Sequence, residues 1–270
     1  MGTSYESHAK DDATASEIRE RVSGYEQTFS RFDPLSELSE LNVHRRGRVS
    51  PDLQSVLAAA VWARSATDGL VDIGVGGQVV GWGYDRPFDS GQEPSIPPPA
   101  SAGFGWSIDH GVVTLESGTL LDLGGIAKGW VCDRLVEEGI ADMVSAGGDL
   151  RSAESDLVVE IVDHAKEPVA SVDLGSGALA TSSRMHRRWA VGQRDAHHLI
   201  DPRTGAPAET PITQATVVAD TAMAAEVGAK AVLLQGANGL AWADTKPWIR
   251  QAIVVWHDGS VFATRERAAA

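Results

Sequence analysis

The sequence contains one cysteine and no apolar run long enough to span a bilayer. A single cysteine excludes an internal disulfide, and the apolar helical surroundings of Cys132 predict a small core side chain. The residues that follow Met1 are polar from Ser4 to Ala13, so neither a signal peptide nor a lipoprotein leader is expected. These features predict a cytoplasmic protein.

Basic residues are few. Lys and Arg number 23 against 37 Asp and Glu, which gives a formal charge of −14 over 270 residues. Nucleic acid and anionic membrane surfaces are therefore poor partners, because both require clustered cations. The 43% hydrophobic content is that of a globular protein with a sizeable core. The length allows one large domain or two closely joined ones.

Three helices are predicted in the first quarter of the chain. Apolar residues recur at spacings of three and four over Ala15–Phe32 and over Pro51–Thr67. The apolar face of the second of these helices consists of Leu53, Val56, Leu57, Ala60 and Val61. Ser50 is a candidate N-cap before Pro51, and a short helical piece is expected over Ser36–Asn42.

Strands and further helices follow. The region Ser90–Ser101 is rich in Pro, Gly and Ser and is predicted to be a surface excursion. Hairpins and crossovers both occur, so the fold class is α/β, with mixed α+β character. The segment Met143–Leu150 is predicted to be a strand that enters a glycine turn, and Ala252–Trp256 and Ser260–Thr264 are predicted to form a hairpin across His257-Asp258-Gly259. The other predicted strands are Val112–Leu115, Leu120–Leu123, Leu157–Asp163, Pro168–Leu174 and Thr216–Asp220, and the predicted helices are Gly129–Glu138 and Thr221–Leu234.

The segment Leu121–Trp130 is the most informative part of the chain. Two glycines, Gly124 and Gly125, stand between an apolar segment and a helix, and Lys128 stands at the mouth of that helix. Such a junction exposes backbone N–H groups and the positive end of the helix dipole, which suits an anionic ligand. The spacing matches neither the P-loop nor the dinucleotide fingerprint.

Further polar segments follow predicted strands or helices, and together with this junction they resemble the ApbE family, the FAD:protein FMN transferases. The resemblance covers nearly the whole chain. It is carried by Met1-Gly2-Thr3, Ser36–Asn42, Asp68–Asp72, Asp122–Gly129, Ala146–Asp149, His198–Gly205 and Thr221-Ala222-Met223.

The resemblance implies a flavin transferase fold with mixed sheets and flanking helices, spanning residues 1–270 as one domain or as two closely packed subregions with FAD between them. It implies FAD as substrate and a magnesium ion against the pyrophosphate. A Ser or Thr hydroxyl of an acceptor protein attacks, and AMP leaves. Some members use water instead and hydrolyse FAD to FMN and AMP.

Carried over residue by residue, the resemblance gives Asp122 and Lys128 contacts with FAD and gives the carbonyl of Gly125 a metal contact. His198 is expected near the nucleotide, as a catalytic group. The remaining expected FAD contacts are Met1, Phe32, Asn42, Leu70, Val71 and Asp72.

The chain departs from the family pattern in the helix after Thr221. Where the family has an aspartate and a threonine that complete the magnesium site, this chain has Glu226 and Lys230, with Gly228 between them. One interpretation is a solvent-facing i,i+4 ion pair. Our preferred hypothesis is that the Lys230 ammonium occupies the place of the metal, paired with Glu226, as a residue of the catalytic site. Val71-Asp72-Ile73-Gly74 also departs from the Phe-Asp-Pro-Thr of the family.

Two functions remain open at this stage. The first is FMN transfer, or FAD hydrolysis by a pyrophosphatase of the same fold. The second is FAD binding with little or no transferase activity. A hydrolase that uses Ser182, His198 and Asp201 is disfavoured, because the sequence has no nucleophile elbow.

Overall fold

The computed structural model describes residues 5–7, 12–87, 105–191 and 194–267. Met1 and the Ser90–Ser101 excursion therefore lie outside the described residues. No helix in the described ranges has both the length and the apolar content that crossing a bilayer requires. The helices are α1 Asp12–Phe29, α2 Glu37–His44, α3 Pro51–Ala66, α4 Gly76–Gly81, α5 Ala127–Glu137, α6 Ala222–Gln235 and α7 Gly239–Asp244. The strands are β1 Tyr5–Ser7, β2 Arg46–Arg48, β3 Trp106–Asp109, β4 Val112–Leu115, β5 Met143–Ala146, β6 Asp149–Ser152, β7 Val158–Val162, β8 Pro168–Asp173, β9 Gly177–Ser183, β10 Arg188–Val191, β11 Arg194–His197, β12 Ile200–Asp201, β13 Ala206–Pro207, β14 Ile212–Ala219, β15 Gln251–Trp256 and β16 Val261–Ala263.

The chain divides into two compact units. The first consists mainly of Val22–Ala127 and Arg187–Ala208. It contains α2, α3 and α4, a three-stranded antiparallel sheet in the order β2-β4-β3, and the short pairs β10–β11 and β12–β13.

The second unit consists mainly of Lys128–His186 and the described residues from Glu209 onwards, together with β1. Its seven-stranded antiparallel sheet has the order β1-β5-β6-β9-β14-β15-β16. Helix α6 packs on β9 and β14, and β7 and β8 form a separate hairpin.

Strand β14 is buried along all eight residues because both of its faces are covered. Val217 contacts α6, where a Cβ on Gly228 would lie 2.9 Å from Val217 Cγ1 and 3.2 Å from Trp248. Val218, on the opposite face, belongs to a core cluster that includes Ile161 of β7 and Val172 of β8. The glycine inside α6 is thus explained by the close packing of this helix on the sheet.

The predicted helices are confirmed, with shifted ends. Ser50 accepts a hydrogen bond from the Leu53 N–H and caps α3, with Pro51 in its first turn. Helix α1 ends at Phe29, so Phe32 lies in the following turn. The prediction that Val61 belongs to the buried face of α3 is wrong, since this side chain is 39% exposed.

The prediction of a strand over Leu120–Leu123 is also wrong. Only Leu120 forms an isolated bridge, with Val75. The amide side chain of Asn42 takes the place of a strand neighbour, because it donates to Leu121 O at 3.0 Å and accepts from Leu121 N–H at 2.7 Å. A side chain therefore satisfies the backbone of a segment whose apolar pattern is that of a strand.

Candidate functional site

Lys128, in the first turn of α5, lies between two carboxylates. Its ammonium contacts Asp149 Oδ2 and Glu226 Oε1. The other oxygen of Glu226 accepts the Gly129 N–H at 2.9 Å. Glu226 therefore binds both a backbone donor and a side-chain cation at the start of α5. We refer to Lys128, Asp149 and Glu226 as the lysine cluster.

Helices α5 and α6 meet closely enough to form these contacts because Gly129 has no side chain. A Cβ there would lie 2.5 Å from the carbonyl oxygen of Ala222. Asp133 strengthens the same contact, since its carboxylate accepts the N–H groups of Ala222 at 2.7 Å and Met223 at 2.9 Å. Asp133 thus satisfies two N–H groups in the first turn of α6.

Asp149 reaches the cluster from a tight hairpin. Gly147 and Gly148 join β5 to β6 with φ values of 59° and 94°, a conformation that favours glycine. The second oxygen of Asp149 accepts the Thr181 N–H at 3.3 Å. Burial raises the pKa of Asp149 to about 6, although Lys128 and the Thr181 N–H act in the opposite direction.

Lys128 is a charged group in this environment. Burial alone would lower its pKa, but the charges of Asp149 and Glu226 and their hydrogen bonds raise it above the ordinary lysine value. With both carboxylates ionised, the cluster has two negative charges and one positive charge.

Glu226 and Lys230 both lie on α6, but the solvent-facing interpretation of this pair is wrong, because Glu226 is only 4% exposed. As described above, the Glu226 carboxylate contacts the Lys128 ammonium and accepts the Gly129 N–H. Lys230 is half-buried one turn further along the helix. Its catalytic role stays a prediction.

These residues do not fit a magnesium site. Magnesium requires oxygen ligands in near-octahedral geometry. Both oxygens of Glu226 already have donors, one of them an ammonium, and a protonated lysine at position 230 has no lone pair to offer. Within the described ranges, no group of three or more His, Cys, Asp and Glu side chains could hold a metal ion.

A second group of contacts lies in the first unit, around Arg31. Its guanidinium donates to Asp122 Oδ2 and to the carbonyl of Tyr84, both at 2.7 Å. It also lies 4.1 Å from the ring centre of Phe32 and 4.9 Å from that of Tyr84. Trp189 stacks on Tyr84 with ring centres 5.6 Å apart. We call these five residues the arginine cluster.

The turn that leads into α5 is built on Asp122. Its Oδ1 accepts the Gly124 N–H at 2.7 Å, and the Ile126 and Ala127 N–H groups donate to Leu123 O. Gly125, the expected source of a metal-binding carbonyl, is half-buried in this turn.

Three other predicted FAD contacts, Leu70, Val71 and Asp72, are buried or hydrogen-bonded within the first unit. Asp72 Oδ1 accepts the Gly74 N–H and the Trp106 indole N–H at 2.8 and 2.9 Å. Leu70 and Val71 are 5% and 4% exposed. A role for these residues toward a ligand stays a prediction, as does that of Asn42.

The two adjacent histidines differ in their environments. His197 is buried, and its Nδ1 accepts the Leu199 N–H, so its Nε2 carries the proton and donates to Ala208 O. His198 is half-buried. His197 therefore has a structural role, whereas His198 is the imidazole that we expect to act on a ligand.

Two tryptophan side chains hold the Gly205 end of the segment His198–Gly205 in place. The Trp82 N–H donates to Gly205 O at 2.8 Å, and the Trp189 N–H donates to Trp82 O at 2.7 Å. Sequence reasoning missed Arg31, Tyr84 and Trp189 as members of a candidate site. It noted Asp149 only as part of a glycine turn.

Comparison with known proteins decides the family. Residues 1–253 match the ApbE family. The chain belongs to the ApbE family. The FAD:protein FMN transferase of Vibrio cholerae is 28% identical to it over 273 residues, which cover 92% of this chain and 79% of the relative. That of Salmonella typhimurium is 29% identical over 206 residues, covering 66% of this chain and 57% of the relative, and that of Rhodobacter capsulatus is 28% identical over 247 residues, covering 82% and 46%. The match thus spans about half the length of these last two relatives.

Solved structures agree in fold. The ApbE protein of Thermotoga maritima superimposes with a TM-score of 0.85 at 25% identity, over 99% of this chain and 97% of that one. The flavin transferase ApbE of Vibrio cholerae gives a TM-score of 0.77 at 26% identity, over 98% and 94%. The predicted flavin transferase fold is therefore confirmed.

Proposed function

We propose that this chain binds FAD and transfers its FMN moiety to a Ser or Thr hydroxyl of an acceptor protein, with release of AMP. The observation that carries the proposal is the similarity to curated FAD:protein FMN transferases, which in one case covers 92% of this chain. The order of the segments around Asp122, Asp149, His198 and Glu226 supports it as well.

The chemistry of the transfer is a displacement at phosphorus. The acceptor oxygen forms a bond to the FMN phosphorus, the anhydride P–O bond to AMP breaks, and the hydroxyl proton passes to a base. His198 is our candidate for that base, because an imidazole can accept a proton near neutral pH. Phe32, Asn42, Leu70, Val71, Asp72, Asp122 and Lys128 are the described residues that we assign to FAD binding, and we assign Lys230 to the pyrophosphate.

A second candidate function is FAD binding with little or no transfer. The contacts of Glu226 with Lys128 and Gly129 favour it, because a carboxylate held in this way is not a free ligand for magnesium. Without a divalent cation, developing phosphate charge is stabilised less, and an attacking hydroxyl is not activated by a metal.

One experiment separates these functions. The protein is incubated with FAD and a Ser/Thr-containing acceptor peptide, with magnesium or with a chelator, and AMP and flavinylated peptide are quantified by chromatography. The proposal predicts equal amounts of AMP and flavinylated peptide, both reduced by His198→Ala. AMP without labelled peptide would identify a pyrophosphatase. Bound FAD with no AMP under either condition would identify a flavin-binding protein and contradict transfer.

A further inference from the structure

Arg31 connects segments of the first unit that are far apart in the sequence. It lies in the turn after α1, and its guanidinium donates to Tyr84 O and Asp122 Oδ2, which are 53 and 91 positions away. The arginine side chain is 9% exposed and the aspartate side chain 14%. A buried guanidinium with these two acceptors fixes the positions of the three segments relative to one another.

The Asp122 carboxylate, a proposed FAD contact, is oriented by this arrangement. Its Oδ2 accepts the Arg31 Nε–H and its Oδ1 accepts the Gly124 N–H, both at 2.7 Å. Because each oxygen is held by a separate donor, the carboxylate has one defined orientation. A carboxylate oxygen can accept more than one hydrogen bond, so Asp122 keeps acceptor capacity for a ligand.

The Phe32 ring, a second proposed FAD contact, lies against the same guanidinium. The centre of this ring is 4.1 Å from the central carbon of Arg31, and that of Tyr84 is 4.9 Å away. The two rings also meet edge to face, with centres 5.6 Å apart. A planar cation that lies over aromatic faces restricts their orientation. Arg31 is therefore in contact with two residues that we assign to FAD.

The charge of Arg31 also matters for an anionic ligand. FAD carries an ionised pyrophosphate, and a partly buried carboxylate without a counter-charge would repel it. The Arg31 guanidinium supplies that counter-charge at 2.7 Å from Asp122. An aspartate can therefore take part in a site for a dinucleotide.

We propose that Arg31 is a positioning residue for FAD binding, which orients the Asp122 carboxylate and the Phe32 ring and balances the charge of Asp122. This inference rests on the proposed FAD site. Arg31 acts through these two neighbours and not through a contact of its own with the ligand. The effect of removing the guanidinium should therefore depend on whether residue 122 is a carboxylate.

The first test measures the dissociation constant of FAD by equilibrium dialysis with the purified full chain. Arg31→Met removes the charge and both hydrogen bonds, so we expect this constant to rise at least tenfold. Arg46→Met, at an exposed position of β2 in the same unit, is the matched control and should stay within twofold of the wild type. Wild-type affinity in a folded Arg31→Met protein would overturn the inference and leave the proposed function intact. Absence of FAD binding by the wild type would overturn the proposed function, and this inference with it.

Arg31→Lys covers the case in which Arg31→Met does not fold. It keeps the positive charge, but an ammonium cannot reproduce the planar contacts with the two acceptors and the two rings. We expect the dissociation constant of FAD to rise at least threefold. Wild-type affinity would show that charge alone is sufficient and would overturn the positioning role.

A double-mutant cycle separates positioning from a general structural role. In the Asp122→Asn background, Arg31→Met should raise the dissociation constant of FAD less than threefold, because no carboxylate is left to orient or to balance. Dialysis is carried to millimolar FAD, so that weak binding by Asp122→Asn stays measurable. The same fold-change with Asp122 and with Asn at this position would show that Arg31 does not act through Asp122, and the inference would be wrong.

Discussion

The arginine cluster and the lysine cluster both join a cation to carboxylates, but they differ in balance. Arg31 pairs with one carboxylate, that of Asp122, and the side chains are 9% and 14% exposed. Lys128 is shared by Asp149 and Glu226, which are more deeply buried. The first cluster has equal charges of each sign, whereas the second lacks one positive charge.

The two cations also suit their surroundings. A guanidinium is planar, so Arg31 can donate to Asp122 and to a carbonyl while its face lies against the rings of Phe32 and Tyr84. An ammonium is a compact point charge that can be shared between two convergent oxygens. A lysine therefore suits the second cluster, where one cation contacts two carboxylates.

Loss of the shared cation should have the largest effect. Without added metal, Lys128→Met should lower the free energy of unfolding by about 3–5 kcal/mol, because it leaves two buried carboxylates uncompensated. Urea unfolding provides the measurement, with Lys166→Met as a control that should change by less than about 0.5 kcal/mol. A loss below about 1 kcal/mol for Lys128→Met would show that the Lys128 charge is not needed to stabilise the two buried carboxylates.

Loss of the balanced pair should cost less. Arg31→Met should lower the free energy of unfolding by about 1.5–3 kcal/mol, the range for hydrogen bonds to charged groups. Arg31→Lys should recover less than half of this loss, because an ammonium cannot reproduce both hydrogen bonds and the ring contacts. Full recovery by lysine would mean that only the charge matters, and the contrast between the two cations would disappear.

Asp133 provides a third buried carboxylate, whose shortest contacts are with neutral backbone N–H groups. Burial raises its pKa to about 7, while the Met223 and Ala222 N–H groups and Arg151 lower it and Glu137 raises it. A raised folded-state pKa means that the stability contributed by this group is complete below pH 4 and is lost as the pH rises toward 7. The expected slope is at most about 1.4 kcal/mol per pH unit.

Comparison with Asp133→Asn isolates this contribution. The difference in free energy of unfolding between wild type and variant should shift against the wild type between pH 4.5 and 7.5, because only the wild type titrates at this position. Unfolding curves collected across that range test the sign. Parallel pH profiles for the two proteins would refute the assignment.

An exposed ion pair completes the comparison with the smallest effect. Arg188 and Asp195 approach to 2.9 Å across the β10–β11 pair, but their side chains are 41% and 81% exposed. Asp195→Ala should therefore change the free energy of unfolding by less than about 0.5 kcal/mol, and added salt should reduce even this difference. A change above about 1 kcal/mol would show that burial does not determine how much the ion pairs of Lys128, Arg31 and Arg188 contribute to stability.

Local signals predicted much of the fold. Ser50 and Pro51 mark the start of α3, and Thr221 marks the start of α6 by accepting the Ala224 N–H. These signals are readable because a cap depends on residues only three positions apart. The hairpin between β15 and β16 was predicted for the same reason, from the turn at His257-Asp258-Gly259.

Contacts between distant residues were not predictable in this way. Lys128 and Glu226 are 98 positions apart, and Arg31 and Asp122 are 91 apart. The helical spacing of Glu226 and Lys230 predicted a pair within α6, but it gave no indication that the Glu226 carboxylate contacts Lys128 and the Gly129 N–H of α5. Arg31 had no signal of its own, because no spacing rule relates an arginine in a turn to an aspartate in another segment.

The burial of both faces of β14 has a consequence for hydrogen exchange in the second unit. Because α6 lies on one face and the β7–β8 hairpin on the other, the amide hydrogens of Ile212–Ala219 can reach solvent only when the surrounding core unfolds. We expect them to be among the slowest to exchange with deuterium, through unfolding of the whole unit. Glu226 follows this strand after a short turn and lies on the helix that packs against it, so we expect the oxygen that faces Lys128 to stay in place until the second unit unfolds.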